Sequence, residues 1–287
     1  MGDRFAVPVL AYHSLHAPGL TYGTSDHVAL EEDLRTIRRL GLRVVPARAV
    51  ADALVTGDRR AVRGRCVAIT FDDGPDTDYH DVRHSTLGLI KGFRRILAEA
   101  WGGSALWRAL AGRRGAVATS FVIASPAART VLDRTCIAGR GDWGEGWWPL
   151  AVRSGLFHVG NHSWDHLHPT LPAVAHSAQA KGDFRQVLCA ADADGQIRAA
   201  QAYIEARAPN PGSRLFAYPY GHWNAFLAEE YFPGQPAGRE HTIAAFTTDG
   251  GPATEATGRW LVPRFVCGDH WKSPEELERL LRDATGR

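Results

Sequence analysis

The sequence predicts an α/β protein built on a parallel sheet, and three observations carry the prediction. Short apolar runs alternate with segments of helical periodicity along the chain, the pattern of successive strand–helix units. No internal repeat or low-complexity tract interrupts that alternation. Residues able to do chemistry follow the apolar runs, and parallel folds gather their sites at the carboxyl ends of strands.

Residues 7–12 are apolar and short and read as the first strand, followed by a turn-rich stretch to Asp26. Leu30, Leu34, Ile37 and Leu40 recur at helical spacing, with Gly41 as the stop. Val44 and Val45 make a short strand and residues 49–55 a helix. Residues 66–71 are a buried-strand run, and residues 87–100 read as a helix. Residues 117–123 form another strand, and Pro126 opens the helix after it. Residues 156–160 lead into a histidine cluster. Residues 190–208 predict a long helix with Ile197, Ala200 and Ile204 on one face. Residues 215–218, 243–247 and 260–266 are further strands. The last helix covers residues 273–281, with Ser273 as N-cap and Pro274 at its first position. Residues 102–115, 139–149 and 172–183 read as insertions or long loops.

The 287 residues, 45% hydrophobic and 22% charged, suffice for a large core. The net charge of +2 comes from 33 basic and 31 acidic residues without long blocks of one sign, which argues against nucleic acid or an anionic membrane as partner. No apolar run is long enough to span a bilayer. The opening MGDRFAVPVLAYHSL is interrupted by Pro8 and runs into a strand, so it does not read as a signal peptide. Cys66, Cys136, Cys189 and Cys267 form no Cys-x-x-Cys pair, and Cys66 and Cys267 read as small core residues. A reducing, cytoplasmic compartment is the expectation.

Two segments carry the chemistry. Residues 70–75 read TFDDGP, and residues 161–166 read NHSWDH. One carboxylate plus a His-x-x-x-His pair is a three-ligand set for a divalent metal with open positions. If the second segment is helical, His162 and His166 share a face. Taken alone they would be ordinary surface or capping histidines; the company of TFDDGP favours a metal. His168 is expected to face elsewhere, and His158 to be packed. Successive strand residues point to opposite faces, so Asp72 and Asp73 reach one site only if the strand ends at Phe71 and the chain turns at Gly74–Pro75. The plainer reading of that pair is an Asp-rich turn. The second carboxylate beside a ligand is positioned to act as a general base. Trp143, Trp147 and Trp148 sit between Gly-rich flanks. Either they form a lid that stacks on a sugar, or they anchor a long loop to the fold.

These motifs together resemble the polysaccharide deacetylase family, metal-dependent carbohydrate esterases related to chitooligosaccharide deacetylase, over residues 8–281. The resemblance implies a distorted, incomplete (β/α) barrel forming a single catalytic domain over residues 1–287. It implies Asp72 as general base and Asp73, His162 and His166 as metal ligands, HSWDH fitting the family's H-[ST]-x-x-H motif. The metal implied is zinc, with cobalt, nickel, manganese or iron as alternatives, and the partner is an N-acetylated sugar or oligosaccharide. The family's third motif carries an Arg ahead of Pro-Tyr. Here FAYPYG puts Ala217 in that place, as in the branch related to poly-N-acetylglucosamine deacetylases, which also begins with a pair such as Tyr12–His13. The partner that keeps Asp72 ionised is therefore missing from its usual position. By resemblance, the Tyr220 N–H is the oxyanion donor, and Asp249 orients His270 as the acid for the leaving amine, with His13 as rival. His13, Tyr218, Trp147 and Trp148 are the expected substrate contacts.

The implied reaction is hydrolytic removal of an acetyl group from a carbohydrate. Two other classes fit parts of the pattern. A 2-His-1-carboxylate set also serves non-haem iron oxygenases, although these need no base at Asp72. A sugar-binding, inactive homologue fits the missing Arg and the poorly matched acid motif. Residues 139–149 are expected to overhang the site and restrict it to a short or capped sugar.

Overall fold

The computed structural model describes residues 5–14, 20–84, 88–100, 118–137, 139–175, 181–235 and 241–286. Among the described residues, eight parallel strands make the main sheet: β1 (Val9–His13), β2 (Arg43–Val45), β3 (Cys66–Asp72), β4 (Ala118–Val122), β5 (Phe157–Asn161), β6 (Leu215–Ala217), β7 (Ala244–Phe246) and β8 (Phe265–Val266). Their order is β7-β6-β5-β4-β3-β1-β8, with β2 beside the start of β3. Every residue of β3 is buried, as expected of a central parallel strand covered on both faces.

The sheet curls into a distorted barrel, and residues 260–266 span the gap between its edges. Val262 bridges to Phe246 of β7, while Phe265 and Val266 pair with Leu10 and Ala11 of β1. The expected continuous strand over 260–266 is broken because Pro263 has no N–H to donate to a ladder. Inside the barrel, Phe121 lies so close to Gly160 that a Cβ there would sit 2.6 Å from its ring.

Helices cover the outside. In α1 (Asp26–Arg39), Leu30, Leu34 and Ile37 are buried, Asp26 opens the first turn and Arg38 and Arg39 close the last, matching the helix dipole. Gly41 follows in the left-handed conformation that ends such helices. α2 (Ala47–Thr56) ends the same way at Gly57. α3 (Phe93–Ala100) is shorter than the helix expected over 87–100, because Gly88–Ile90 pairs antiparallel with Val82–His84 first. The chain then passes Gly92, where a Cβ would stand 2.5 Å from the His80 carbonyl oxygen. α4 (Pro126–Cys136) is capped by the Ser125 hydroxyl. α5 (Trp148–Ser154) was not anticipated, although Pro149 at its start and left-handed Gly155 at its end are the usual signals. Residues 190–207 are helical throughout, with a π-turn at Asp194–Arg198. The C-terminal helix Pro274–Ala284 is capped by Ser273, whose Oγ accepts from the Glu276 N–H at 3.2 Å. The expected loop at residues 102–115 lies outside the described residues.

The four cysteines are free thiols, Cys66 and Cys267 buried as expected. Among the described residues, no helix is long and apolar enough to cross a membrane.

Candidate metal centre

Five non-glycine residues adopt positive φ among the described residues: Asp73 (74°), Ser163 (70°), His166 (62°), Leu167 (45°) and Tyr220 (60°). Asp73, His166 and Tyr220 line one cavity of about 250 Å³, and Ser163 and Leu167 flank His166. Such strain persists only where surrounding contacts impose it, and it clusters at functional sites.

The first strained turn brings the two aspartates together. β3 runs through Asp72, one residue further than expected, and the chain turns at Asp73 itself. The Asp73 carbonyl accepts from the Ile123 N–H and the Trp143 Nε1–H, both at 3.2 Å. Gly74, at φ 73°, has no room for a side chain: a Cβ would lie 2.5 Å from Val122 Cγ1. The second turn corrects the expectation of a helix for residues 162–166. His162 leaves the end of β5, and His166 is carried back beside it by left-handed residues rather than by helical spacing. Asn161, Asp165 and Gln196 hold this turn. Asn161 Oδ1 accepts from the Ser163 N–H at 2.8 Å. Asp165 accepts from the N–H groups of Leu167 and Ala175 and from Gln196 Nε2. No short motif marks these three residues in the sequence.

Asp73, His162 and His166 are buried, and their ligand atoms lie within 4.8 Å of one another. Asp73 Oδ1 is 3.6 Å from His162 Nε2 and 3.7 Å from His166 Nε2. These gaps are too long for hydrogen bonds. They are close to the ~3.4 Å expected between two atoms bound tetrahedrally to one zinc at ~2.1 Å. His162 Nδ1 faces the Ala217 carbonyl at 2.9 Å, so that nitrogen carries the proton and Nε2 is left as ligand. His166 Nδ1 is buried without a partner. Burial, together with neighbouring His162 and His168, lowers the His166 pKa well below the ordinary value, so it offers a neutral lone pair. The residues present therefore fit a divalent metal, and an Asp/His/His donor set suits zinc.

The missing cation for Asp72 is Arg264. Its Nη1 and Nη2 donate to Asp72 Oδ1 and Oδ2, each at 2.7 Å, a two-pronged pair buried in the barrel. Arg264 is itself fixed by the Thr247 carbonyl and Thr70 Oγ1 and lies over the Phe121 ring. Burial alone would raise the Asp72 pKa. Arg264, with His162 and His13, outweighs it and holds the carboxyl well below the usual carboxylate range. Sequence reading sought an Arg at position 217 and overlooked Arg264, 192 residues from its partner. The available signal was a lone Arg in the apolar run after Pro263.

His13 lines the cavity, with Nε2 3.9 Å from Asp72 Oδ2. The Tyr220 ring stands edge-on to His166, with centroids 4.3 Å apart. Contrary to expectation, His168 also lines the cavity. Five further expectations need correction. His270 is exposed and does not line the cavity; its Nδ1 accepts the Val266 N–H at 2.9 Å, and Asp269 reaches the wall instead. Asp249 does not orient His270: it is exposed and accepts from Trp223 Nε1 at 3.2 Å. Tyr218 is buried behind the strand, its hydroxyl donating to the Trp260 carbonyl at 3.1 Å. Trp147 and Trp148 belong to the core, at 1% and 0% exposure. Trp147 stacks on Tyr79, and Trp148 carries the Arg129 guanidinium over its ring. Of the three tryptophans only Trp143 reaches the cavity.

Comparison with curated protein sequences finds no match. Residues 109–231 match the family model for polysaccharide deacetylases, a span that includes His162, His166 and Tyr220. Solved structures that share the fold include the following three. Streptococcus pyogenes deacetylase PplD, solved in complex with acetate, is 17% identical, with TM-score 0.62 over 97% of this chain and 99% of that one. The putative polysaccharide deacetylase BA0330 from Bacillus anthracis is 14% identical, with TM-score 0.60 over 97% and 69%. IcaB from Ammonifex degensii is 20% identical, with TM-score 0.59 over 99% and 98%. The family-model match over residues 109–231 thus lies within a fold that these solved structures share.

Proposed function

We propose that this chain is a metal-dependent hydrolase that removes acetyl groups, N-linked in preference to O-linked, from a carbohydrate, in one catalytic domain. The observation that carries the reading is the pairing of a buried three-ligand cluster with a neighbouring carboxylate kept ionised by Arg264. Asp73, His162 and His166 would hold the ion, zinc by its donor set. An ion in such a site supplies Lewis acidity toward a carbonyl and acidifies water. An oxygenase would gain nothing from a charged base at Asp72, and a binding protein would gain nothing from holding it ionised.

Each remaining role falls to a residue of the chain. Asp72 accepts a proton from the attacking water. The Tyr220 N–H, on left-handed backbone, donates to the oxygen that becomes negative as the carbonyl turns tetrahedral. His13, rather than His270, delivers the proton to the departing amine, since His13 is at the cavity wall beside Asp72. Trp143 and Ile123 give one wall an apolar surface suited to the acetyl methyl. That PplD was solved with acetate is in keeping with the product expected here. The test is acetate release from N-acetylated chitooligosaccharides by metal-stripped protein with and without added zinc. Release restored by zinc supports the reading; no release from any N- or O-acetylated sugar with metal present overturns it.

A further inference from the structure

A second cavity, of about 880 Å³, opens near the amino end of β5. Its walls include Arg48 and the start of α2, Arg60, His158, Asn210 and Arg214. His158 and Gly160 share one face of β5, and His162 continues that alternation into the metal cluster. The cavity therefore lies at the opposite end of the barrel from the proposed chemistry.

Four features of this cavity favour a negative guest. α2 is ten residues long, has no side-chain cap and carries no acidic residue in its first turn, so its positive end is uncompensated where Pro46, Arg48 and Ala49 line the wall. The two carboxylates of the lining are ion-paired, Asp58 with Arg60 and Asp52 with Arg48 Nε at 2.8 Å; Arg48 Nη1 donates to the Pro211 carbonyl, which leaves the Nη2 end of its fork for a guest. Arg214 is held by the His241 carbonyl and ring, which bring no negative charge of their own. His158, 8% exposed, has a ring nitrogen without a partner. Its pKa is pushed down to about 4, first by burial and then by the Arg48 charge. Arg214 is lowered by burial and then by Arg48, with the Glu205 and Asp52 carboxylates opposing in part. An anion between Arg48 and Arg214 would relieve that repulsion.

We propose that this cavity binds a phosphoryl oxyanion, with Arg48, Arg214 and the first turn of α2 as its donors. Guanidinium forks and helix N-termini both match phosphate geometry. The source is a free phosphate ion or the phosphate of a small metabolite. The experiment is calorimetric titration of the full chain with inorganic phosphate, pyrophosphate and a sugar monophosphate, at constant ionic strength so that screening cannot mimic binding. Saturable binding, weakened roughly tenfold or more in Arg48→Gln and in Arg214→Gln, is expected from loss of one charged fork. Arg48 is partly exposed, so its variant tests the site without disturbing the core, and Arg214→Lys should recover part of the affinity. Tightest binding of inorganic phosphate would identify the free ion, and of the sugar phosphate a metabolite. Absence of saturable binding for all three, or equal affinity in wild type and both Gln variants, would overturn the proposal.

Discussion

At the scale of single residues, the proposed hydrolysis turns on the charge state of Asp72. Removing Arg264 leaves a buried carboxylate with no cation in direct contact, and burial then drives its pKa upward. In Arg264→Gln the acid limb of the rate–pH profile should move to higher pH, with turnover reduced at neutral pH. Arg264→Lys, which keeps charge but loses the fork, should lie between Gln and wild type. An unmoved acid limb in both variants would separate Arg264 from Asp72. The two candidate acids separate as clearly. His13→Ala should lose on the order of 100-fold or more in turnover, the usual worth of a positioned proton donor, and His270→Ala little. The reverse result would return the role to His270. Sequence alone exposed Asp72, Asp73, His162 and His166 because short motifs carry them. It hid Arg264, because a pairing across 192 residues depends on how the barrel closes.

At the scale of elements, the strands and most helices were legible from period and caps, while the turns that aim the ligands were not. The spacing of His162 and His166 suits a helix, yet left-handed Ser163, His166 and Leu167 do the same work in a loop. Nothing in residue spacing distinguishes the two, since the cause lies in Asn161, Asp165 and Gln196. Of the two readings of the tryptophans in residues 139–149, lid or anchor, Trp147 and Trp148 take the second, packing the loop and α5 onto the barrel. Trp147→Ala should therefore cost roughly 3–5 kcal/mol of stability by opening a core cavity. Denaturant melts would read that loss, and kcat/KM on short substrates below the melting range should change little. A stable variant with selectively impaired sugar binding would restore the lid. Gly74→Ala should weaken zinc binding as well as stability, because its Cβ must displace Val122 beside Asp73. Zinc content of purified protein would measure it.

For the whole molecule, closure of the barrel ties distant parts of the chain together. Asp33 of α1 accepts from Tyr12 Oη at 2.9 Å, Tyr22 Oη at 2.5 Å and Trp271 Nε1 at 3.0 Å, joining α1, β1 and the segment after β8. Burial outweighs these three donors and pushes the Asp33 pKa up from 3.8 to about 7. The native state thus binds a proton there that the unfolded chain releases near pH 4. Its contribution to stability is full below that pH and is lost as pH rises to about 7. Asp33→Asn should flatten the stability–pH curve over this window, as urea melts at several pH values would show. An unchanged slope would mean that Asp33 titrates normally. The parallel sheet and the placement of chemistry at strand ends could be read from sequence, but the use of residues 260–266 as the closing segment could not, because Pro263 breaks its strand pattern.

The central claim is that metal binding and base catalysis reside in adjacent but separate carboxylates. It is tested most directly by measuring zinc content and acetate release side by side in wild type, Asp72→Asn and Asp73→Asn. The account predicts that Asp72→Asn retains zinc near the wild-type level yet loses on the order of 100- to 10,000-fold in acetate release. Asp73→Asn should lose both. Near-normal acetate release by zinc-loaded Asp72→Asn, or full zinc retention by Asp73→Asn, would contradict it.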